Sequence, residues 1–174
     1  LILESHMLKN QVLYIFIFLL VVGCKNEKLE FENQLIVKLS VIILEDDELE
    51  LFYNTAFSPN FTANNNIKKE ITGSHTPQDV FFILKDDEYP RRIRIDFGNN
   101  RNQKQVEIKE IKLLYNKAFK IFTKEEVKLF FKANEYFDFD FETSKGVGVE
   151  KKDRYDPYLE SMNLSKFINN LILY

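Results

Sequence analysis

Carboxylates are the most abundant side chains in this 174-residue sequence that could carry out chemistry. Asp138, Asp140 and Glu142 alternate with apolar residues, which places them on one face of a predicted strand. A glycoside hydrolase needs only two carboxyl groups at a defined separation, so this face is a candidate for such a reaction. The same pattern is typical of a solvated strand face, and we favour that interpretation.

Two acidic turns are candidates for calcium binding. Asp46 and Asp47 lie in one turn, and Asp86 and Asp87 lie in another, followed by Glu88. Calcium takes oxygen ligands from loops of this composition. We therefore predict no cofactor, with a structural calcium ion as the alternative.

Imidazole and thiol groups are in short supply. Cys24 is the one cysteine of the chain, and His75 is the one histidine beyond the predicted leader. A Ser-His-Asp or Cys-His arrangement needs a base with an orienting partner, and a zinc site needs several such ligands. His75 has no acidic neighbour in sequence, and no phosphate-binding glycine loop occurs. We therefore predict a protein that is not an enzyme and has no intrachain disulfide.

Tyrosine and arginine side chains could instead bind sugars. Aromatic faces stack on pyranose rings, and planar polar groups hydrogen-bond to pairs of hydroxyls. The candidate glycan-binding residues are Tyr53, Tyr89, Arg92, Arg94, Tyr155 and Tyr158. For each tyrosine, the alternative is a residue that covers the edge of the core and keeps its hydroxyl in water.

Residues 1–23 have the pattern of a signal peptide. Residues 7–11 form a short, positively charged start, and residues 12–22 form an apolar run. That run is shorter than the roughly 20 residues that span a bilayer as a helix. Residues 1–6 precede the expected start at Met7, and a vector remnant or a misassigned start codon would explain them.

The apolar run ends in Val21-Val22-Gly23-Cys24, which resembles the lipobox of bacterial lipoproteins. The resemblance implies that diacylglycerol is attached to the Cys24 thiol, that the chain is cut after Gly23, and that the new amino terminus is acylated. Several acyl chains would hold the protein on a membrane. Residues 24–34 would then be a lipidated tether, and residues 35–174 one domain. A plain secretory leader or an uncleaved anchor is the alternative.

The predicted location is the cell envelope. The charged segment after Cys24 is similar to segments that route Bacteroidetes lipoproteins to the outer face of the outer membrane, so we expect the outer membrane, on its inner or outer face. The net charge of −3 argues against nucleic acid as a partner.

Alternation of apolar and polar residues predicts strands along most of residues 35–142. The phase of the alternation slips near Glu110, which predicts a β-bulge. Eight or so short strands, separated by turns, favour a mainly β fold: an antiparallel β-sandwich, jelly-roll-like, with one or two short helices. A compact barrel is the alternative.

Helical patterns occur in two places. Thr123 and Glu126 form a capping box, and the helix that they begin is predicted to place Phe131 on its buried stripe and to end at Asn134. A second helical pattern follows Leu164.

Two stretches carry a resemblance to a known family. Residues 92–98, which follow the Leu-Phe-Tyr strand at 51–53, and residues 154–158 together resemble a β-sandwich module of Bacteroidetes cell-surface and membrane proteins, often found beside polysaccharide-handling machinery. The resemblance implies a carbohydrate-binding-like jelly roll with no catalytic residues to carry over. From the residues alone, Asp96 is expected to cap the turn at Asn99, and Asp156 to begin a turn.

Three functions follow from these observations. The first is a noncatalytic envelope lipoprotein that binds glycan or a partner protein. The second is a structural or assembly subunit of an envelope complex, which predicts a sizeable exposed apolar patch. The third is a small glycan hydrolase, which predicts two carboxyl groups roughly 5 to 10 Å apart in a cleft.

Overall fold

The structure is a computed structural model that describes residues 33–173. The predicted leader, Cys24 and nearly all of the predicted tether lie outside these residues. The described elements, in chain order, are β1 (Leu35–Ile43), β2 (Asp47–Asn54), β3 (Asn66–Ile71), β4 (Gln78–Ile83), β5 (Arg92–Asp96), β6 (Val106–Tyr115), β7 (Ala118–Ile121), α1 (Lys124–Phe130), β8 (Phe131–Ala133), β9 (Phe137–Asp140), β10 (Lys145–Gly148), β11 (Tyr158–Ser161) and α2 (Ser165–Ile172).

The strands form two antiparallel sheets. Sheet A has the order β4-β1-β6-β10-β9, with β7 paired to the free part of β6, and sheet B has the order β3-β2-β5-β11-β8. All strand pairs between named strands are antiparallel. The prediction of a mainly β, antiparallel sandwich with short helices is confirmed.

Consecutive strands pass repeatedly from one sheet to the other, which makes the sandwich jelly-roll-like. Several links between consecutive strands change sheets at one end of the sandwich, as the strand pairings show. We name it the crossover end, and the links are β1–β2, β3–β4, β5–β6, β8–β9 and β10–β11. The opposite end, named the hairpin end, carries the β2–β3 and β6–β7 turns. The helix α2 packs on β6 and β7 near this end.

Alternation accounts for the core, because every second residue of a strand points to the same face. Leu49, Leu51 and Tyr53 of β2 share the inward parity and are buried. The ring of Phe97 lies 4.8 Å from that of Phe137 and ties the crossover end of sheet B to sheet A. Each such side chain stabilises the fold by about 1.5–3 kcal/mol through burial.

The predicted bulge is confirmed. Ser40 pairs with Glu110, and the next residue, Val41, pairs with Ile108, so that Lys109 has no partner on β1. The extra residue lets Ile108 and Ile111 both point into the core despite their opposite parity.

The start of α1 is confirmed and its predicted end is wrong. The Thr123 hydroxyl accepts from the Glu126 backbone N–H, and the Glu126 carboxylate accepts from the Thr123 backbone N–H. The helix ends at Phe130 and not at Asn134, because Phe131 leaves the helix and pairs with Ser161 as the first residue of β8. Phe131 is buried as a strand residue.

Candidate functional site

The outer face of sheet B brings aromatic and charged side chains together. Arg94 of β5 lies opposite Phe52 of β2 on one side and Glu160 of β11 on the other, while Asp96 lies opposite Tyr158. All five residues have the parity that points away from the core. Three neighbouring strands therefore place them on one surface.

Arg94 lies at the centre of this face. Its Nε donates to Asp96 Oδ1 at 2.7 Å, and its Nη2 donates to Asp156 Oδ1 at 2.9 Å. The guanidinium carbon lies 3.8 Å from the centre of the Tyr158 ring and 5.2 Å from that of Phe52. Bidentate pairing and ring stacking hold a planar guanidinium in one orientation. Arg94 thus fixes the geometry of the face, with its own charge already paired.

Asp96 titrates in a higher range than an ordinary aspartate. Burial raises the pKa of Asp96 to about 6, and Arg94 opposes this rise. The neighbouring carboxylates of Asp156 and Glu50 raise the pKa further. The charge on this face is therefore sensitive to mildly acidic pH.

A groove of about 460 Å³ lies along β11 and β8, and its wall includes Tyr158, the ring on which Arg94 stacks. Its lining combines positive, negative, amide and aromatic groups, and the residues are Arg92, Lys132, Ala133, Asn134, Tyr158, Glu160, Ser161, Met162 and Asn163. Arg92 pairs with Glu160 across the strands, and its guanidinium lies 5.5 Å from the centre of the Phe61 ring. The groove therefore presents hydrogen-bond donors and acceptors side by side, with a tyrosine in its wall.

Of the six predicted glycan-binding residues, Arg92, Arg94 and Tyr158 come together on this face. Tyr53 lies in the core, where its hydroxyl donates to the Glu88 carboxylate. Tyr89 packs edge-on against Tyr115, with ring centres 6.0 Å apart. The structure thus assigns Tyr53 and Tyr89 to packing contacts away from the groove.

Tyr155 lies apart from the groove, near the crossover end. Its hydroxyl donates to the Asn100 carbonyl at 3.4 Å and approaches Gly148 so closely that a Cβ there would clash. Burial raises the pKa of Tyr155. A local packing role accounts for these contacts.

Of the four aspartates predicted to bind calcium, Asp46 and Asp47 accept hydrogen bonds from backbone N–H groups of neighbouring loops. The Asp47 carboxylate accepts backbone N–H groups from Glu48, Asn99 and Asn100 at 2.9–3.1 Å. Asp47 therefore caps the turn at Asn99. The prediction that Asp96 caps this turn is wrong, because the Asp96 carboxylate pairs with Arg94.

The other three aspartates are spread over two loops. Asp46 Oδ1 accepts the Gly73 N–H at 2.7 Å, and Asp86 Oδ1 accepts from the Gln34 amide at 2.6 Å. Asp87 takes a positive φ of 58° in its turn. Among residues 33–173, no cluster of three or more histidine, cysteine, aspartate or glutamate side chains is arranged to hold a metal ion. The calcium hypothesis remains a prediction.

The predicted membrane attachment concerns a segment that precedes the part of the chain that the structure describes. Cys24, the predicted lipidation site, lies outside it. Among residues 33–173, no helix is long and apolar enough to cross a bilayer.

The residues of this face that the sequence does not identify are Phe52 and Asp156, which contact Arg94, and Lys132, which lines the groove. The parity of β2 gives a signal for Phe52, because Leu51 and Tyr53 point inward and Phe52 must then point outward. No local signal shows that Asp156 reaches Arg94, since 61 residues separate the two positions.

The two stretches that carry the family resemblance are physical neighbours. Residues 92–96 form β5, and the segment of Asp156 and Tyr158 leads into β11 beside it. No protein-family model, curated protein or solved structure matches the chain. The resemblance to Bacteroidetes surface proteins therefore stays a prediction. We base the functional proposal on the geometry of the site.

Proposed function

We propose that this protein is a noncatalytic, lipid-anchored protein of the bacterial cell envelope that binds glycan through the outer face of sheet B. The groove beside Arg94 carries the proposal, because it combines paired charges, amides and a tyrosine on a rigid sheet. Sites built on strands hold polar groups in place more closely than sites on loops. The lipobox-like segment ending at Cys24 supports the anchor.

The chemistry of the groove suits a polyhydroxylated ligand. A sugar hydroxyl both donates and accepts hydrogen bonds, so it can bind beside an ion pair such as that of Arg92 and Glu160. Lys132 and Asn163 add exposed polar groups at the rim. Since Arg94 already covers Tyr158, a sugar would meet the uncovered part of that ring and its hydroxyl.

Glycan-array binding by protein that begins at Lys25 tests the proposal. Lys132→Ala should weaken binding to any array hit by about tenfold, the effect of losing one hydrogen bond to a charged group. Lys104→Ala is the matched control, because Lys104 is an exposed lysine on the β5–β6 link at the crossover end. Parallel arrays with calcium and with chelator test the calcium hypothesis at the same time.

Two outcomes would contradict glycan binding at this groove, and a third would favour a different function. An array without hits, or equal losses in the Lys132→Ala and Lys104→Ala variants, would contradict the proposed site. Pull-down of a single envelope protein by a chain that binds no glycan would favour the assembly function instead.

A further inference from the structure

The outer face of sheet A carries an apolar row at the hairpin end. Strand register places Ile83, Ile36, Leu114 and Phe119 side by side across β4, β1, β6 and β7. Phe119 is 59% exposed. All four have the parity that points away from the core, so this row contributes nothing to the interior of the sandwich.

The next row towards the crossover end is mixed. It contains Phe81, Lys38, Lys112 and Ile121, and its two apolar members are 44% and 40% exposed. The Lys112 ammonium lies 4.3 Å from the centre of the Phe119 ring. Lysines at such a position can keep the charged group in water while the stem covers apolar surface. We name the two rows together the sheet A patch.

The charges around the sheet A patch nearly cancel. Lys38 pairs with Asp79 at 2.9 Å and with Glu110 at 3.1 Å. Lys112 and the exposed Lys117 of the β6–β7 turn supply the remaining positive charge. An occupant of this patch is therefore selected by its apolar character more than by charge.

The chain enters the sandwich directly beside the patch. The Asn33 N–H donates to the Asn116 side-chain oxygen at 2.8 Å, and Leu35 pairs with Tyr115. Cys24 precedes Asn33 by nine residues. Nine residues span at most about 30 Å. A lipid on Cys24 would thus keep the patch within that distance of the bilayer surface.

From these observations we propose that the sheet A patch lies against the lipid surface to which Cys24 is anchored. Phe119 and its row contact the acyl and headgroup boundary, and the lysines of the second row remain at the headgroup level. Sheet B, on the other side of the sandwich, then faces away from that membrane and leaves the glycan groove accessible. This inference rests on the lipid anchor of the proposed function.

Tryptophan fluorescence tests the orientation, because the chain has no tryptophan of its own. Full-length lipidated protein with Phe119→Trp is reconstituted in phosphatidylcholine vesicles with and without brominated lipid. We expect blue-shifted emission and at least twofold stronger bromine quenching than in the control. The control is Val147→Trp, which is also exposed on the outer face of sheet A but lies on β10, near the crossover end. Phe81→Trp is a second reporter if Phe119→Trp fails to fold.

The outcomes separate the two proposals. Mass analysis of Cys24 and flotation with vesicles report the anchor independently of the patch. A lipidated chain that floats but shows equal quenching at both tryptophans would overturn the orientation and leave the proposed function intact. Blue-shifted emission without bromine quenching would mean that a second copy of the chain or a partner protein covers the sheet A patch. That result would also overturn the proposed orientation. A chain without lipid on Cys24 would refute the anchor and the orientation, whereas glycan binding by the groove is tested by the array.

Discussion

Replacing Arg94 with methionine removes the guanidinium that pairs with Asp96 and Asp156 and keeps an apolar stem of similar reach. The two carboxylates have only 14% and 21% of their side chains exposed, so water does not readily replace the lost partner. Removing one partner of a buried ion pair costs about 3–5 kcal/mol. Because the site is only partly enclosed, we expect a loss of about 3 kcal/mol at pH 7.5, at the lower end of this range.

The loss should depend on pH in a defined direction. Since burial raises the pKa of Asp96 to about 6 in the folded protein, above the ordinary value near 4, this carboxyl favours folding most below about pH 4. Its contribution falls as the pH rises through about 6. At pH 4.5 Asp96 is largely protonated when folded, and Arg94→Met should cost only about 1–2 kcal/mol.

Urea unfolding at pH 7.5 and pH 4.5 measures both numbers. With a denaturant slope near 2 kcal/mol/M, a loss of 3 kcal/mol lowers the midpoint by about 1.5 M. Arg154→Met is the matched control, because Arg154 also donates to Asp156, at 2.7 Å, but its side chain is 63% exposed. That control should leave the midpoint nearly unchanged. Equal midpoints for the two variants, or an Arg94→Met loss independent of pH, would refute the central role of Arg94.

Three further substitutions test the fold and its electrostatics. Asp96→Asn should flatten the dependence of stability on pH between about 4 and 6. The raised pKa of Asp96 accounts for a change of about 3 kcal/mol in the free energy of unfolding over this range, which urea unfolding at several pH values would detect. Thr123→Ala removes the capping box of α1 and should cost about 1 kcal/mol in urea unfolding; no change would contradict the cap. Gly98→Ala should cost more than about 1 kcal/mol, because φ is +83° and a Cβ would overlap the Asp47 carboxylate; a stable variant in a thermal melt would contradict that contact.

The long strands could be predicted from the sequence because alternation is clear over many residues. Residues 35–44 and 92–97 correspond closely to β1 and β5, and the slip near Glu110 correctly marks the bulge. The strands β7, β8, β10 and β11 are only three or four residues long, too short for a periodic signal. The sequence does not show where α1 ends, because Phe131 fits the helical stripe and its conformation is determined by pairing with β11.

The candidate site was only partly predictable. Arg92 and Arg94 share a face by parity alone, and Tyr158 joins them through the pairing of β5 with β11. Tyr53 has the parity of Leu49 and Leu51, so the pattern of β2 already indicates a core position. The contact of Arg94 with Asp156 depends on long-range pairing, which local residue patterns do not contain.

NMR amide shifts locate a bound glycan on the protein and therefore test the proposed glycan site. Protein that begins at Lys25 is titrated with the best oligosaccharide from the array. Glycan binding by the outer face of sheet B should give the largest shifts in β5, β8 and β11 around the groove, and Lys132→Ala should reduce them. Shifts centred on the loops of the crossover end, or none at millimolar sugar, would contradict glycan binding by the outer face of sheet B.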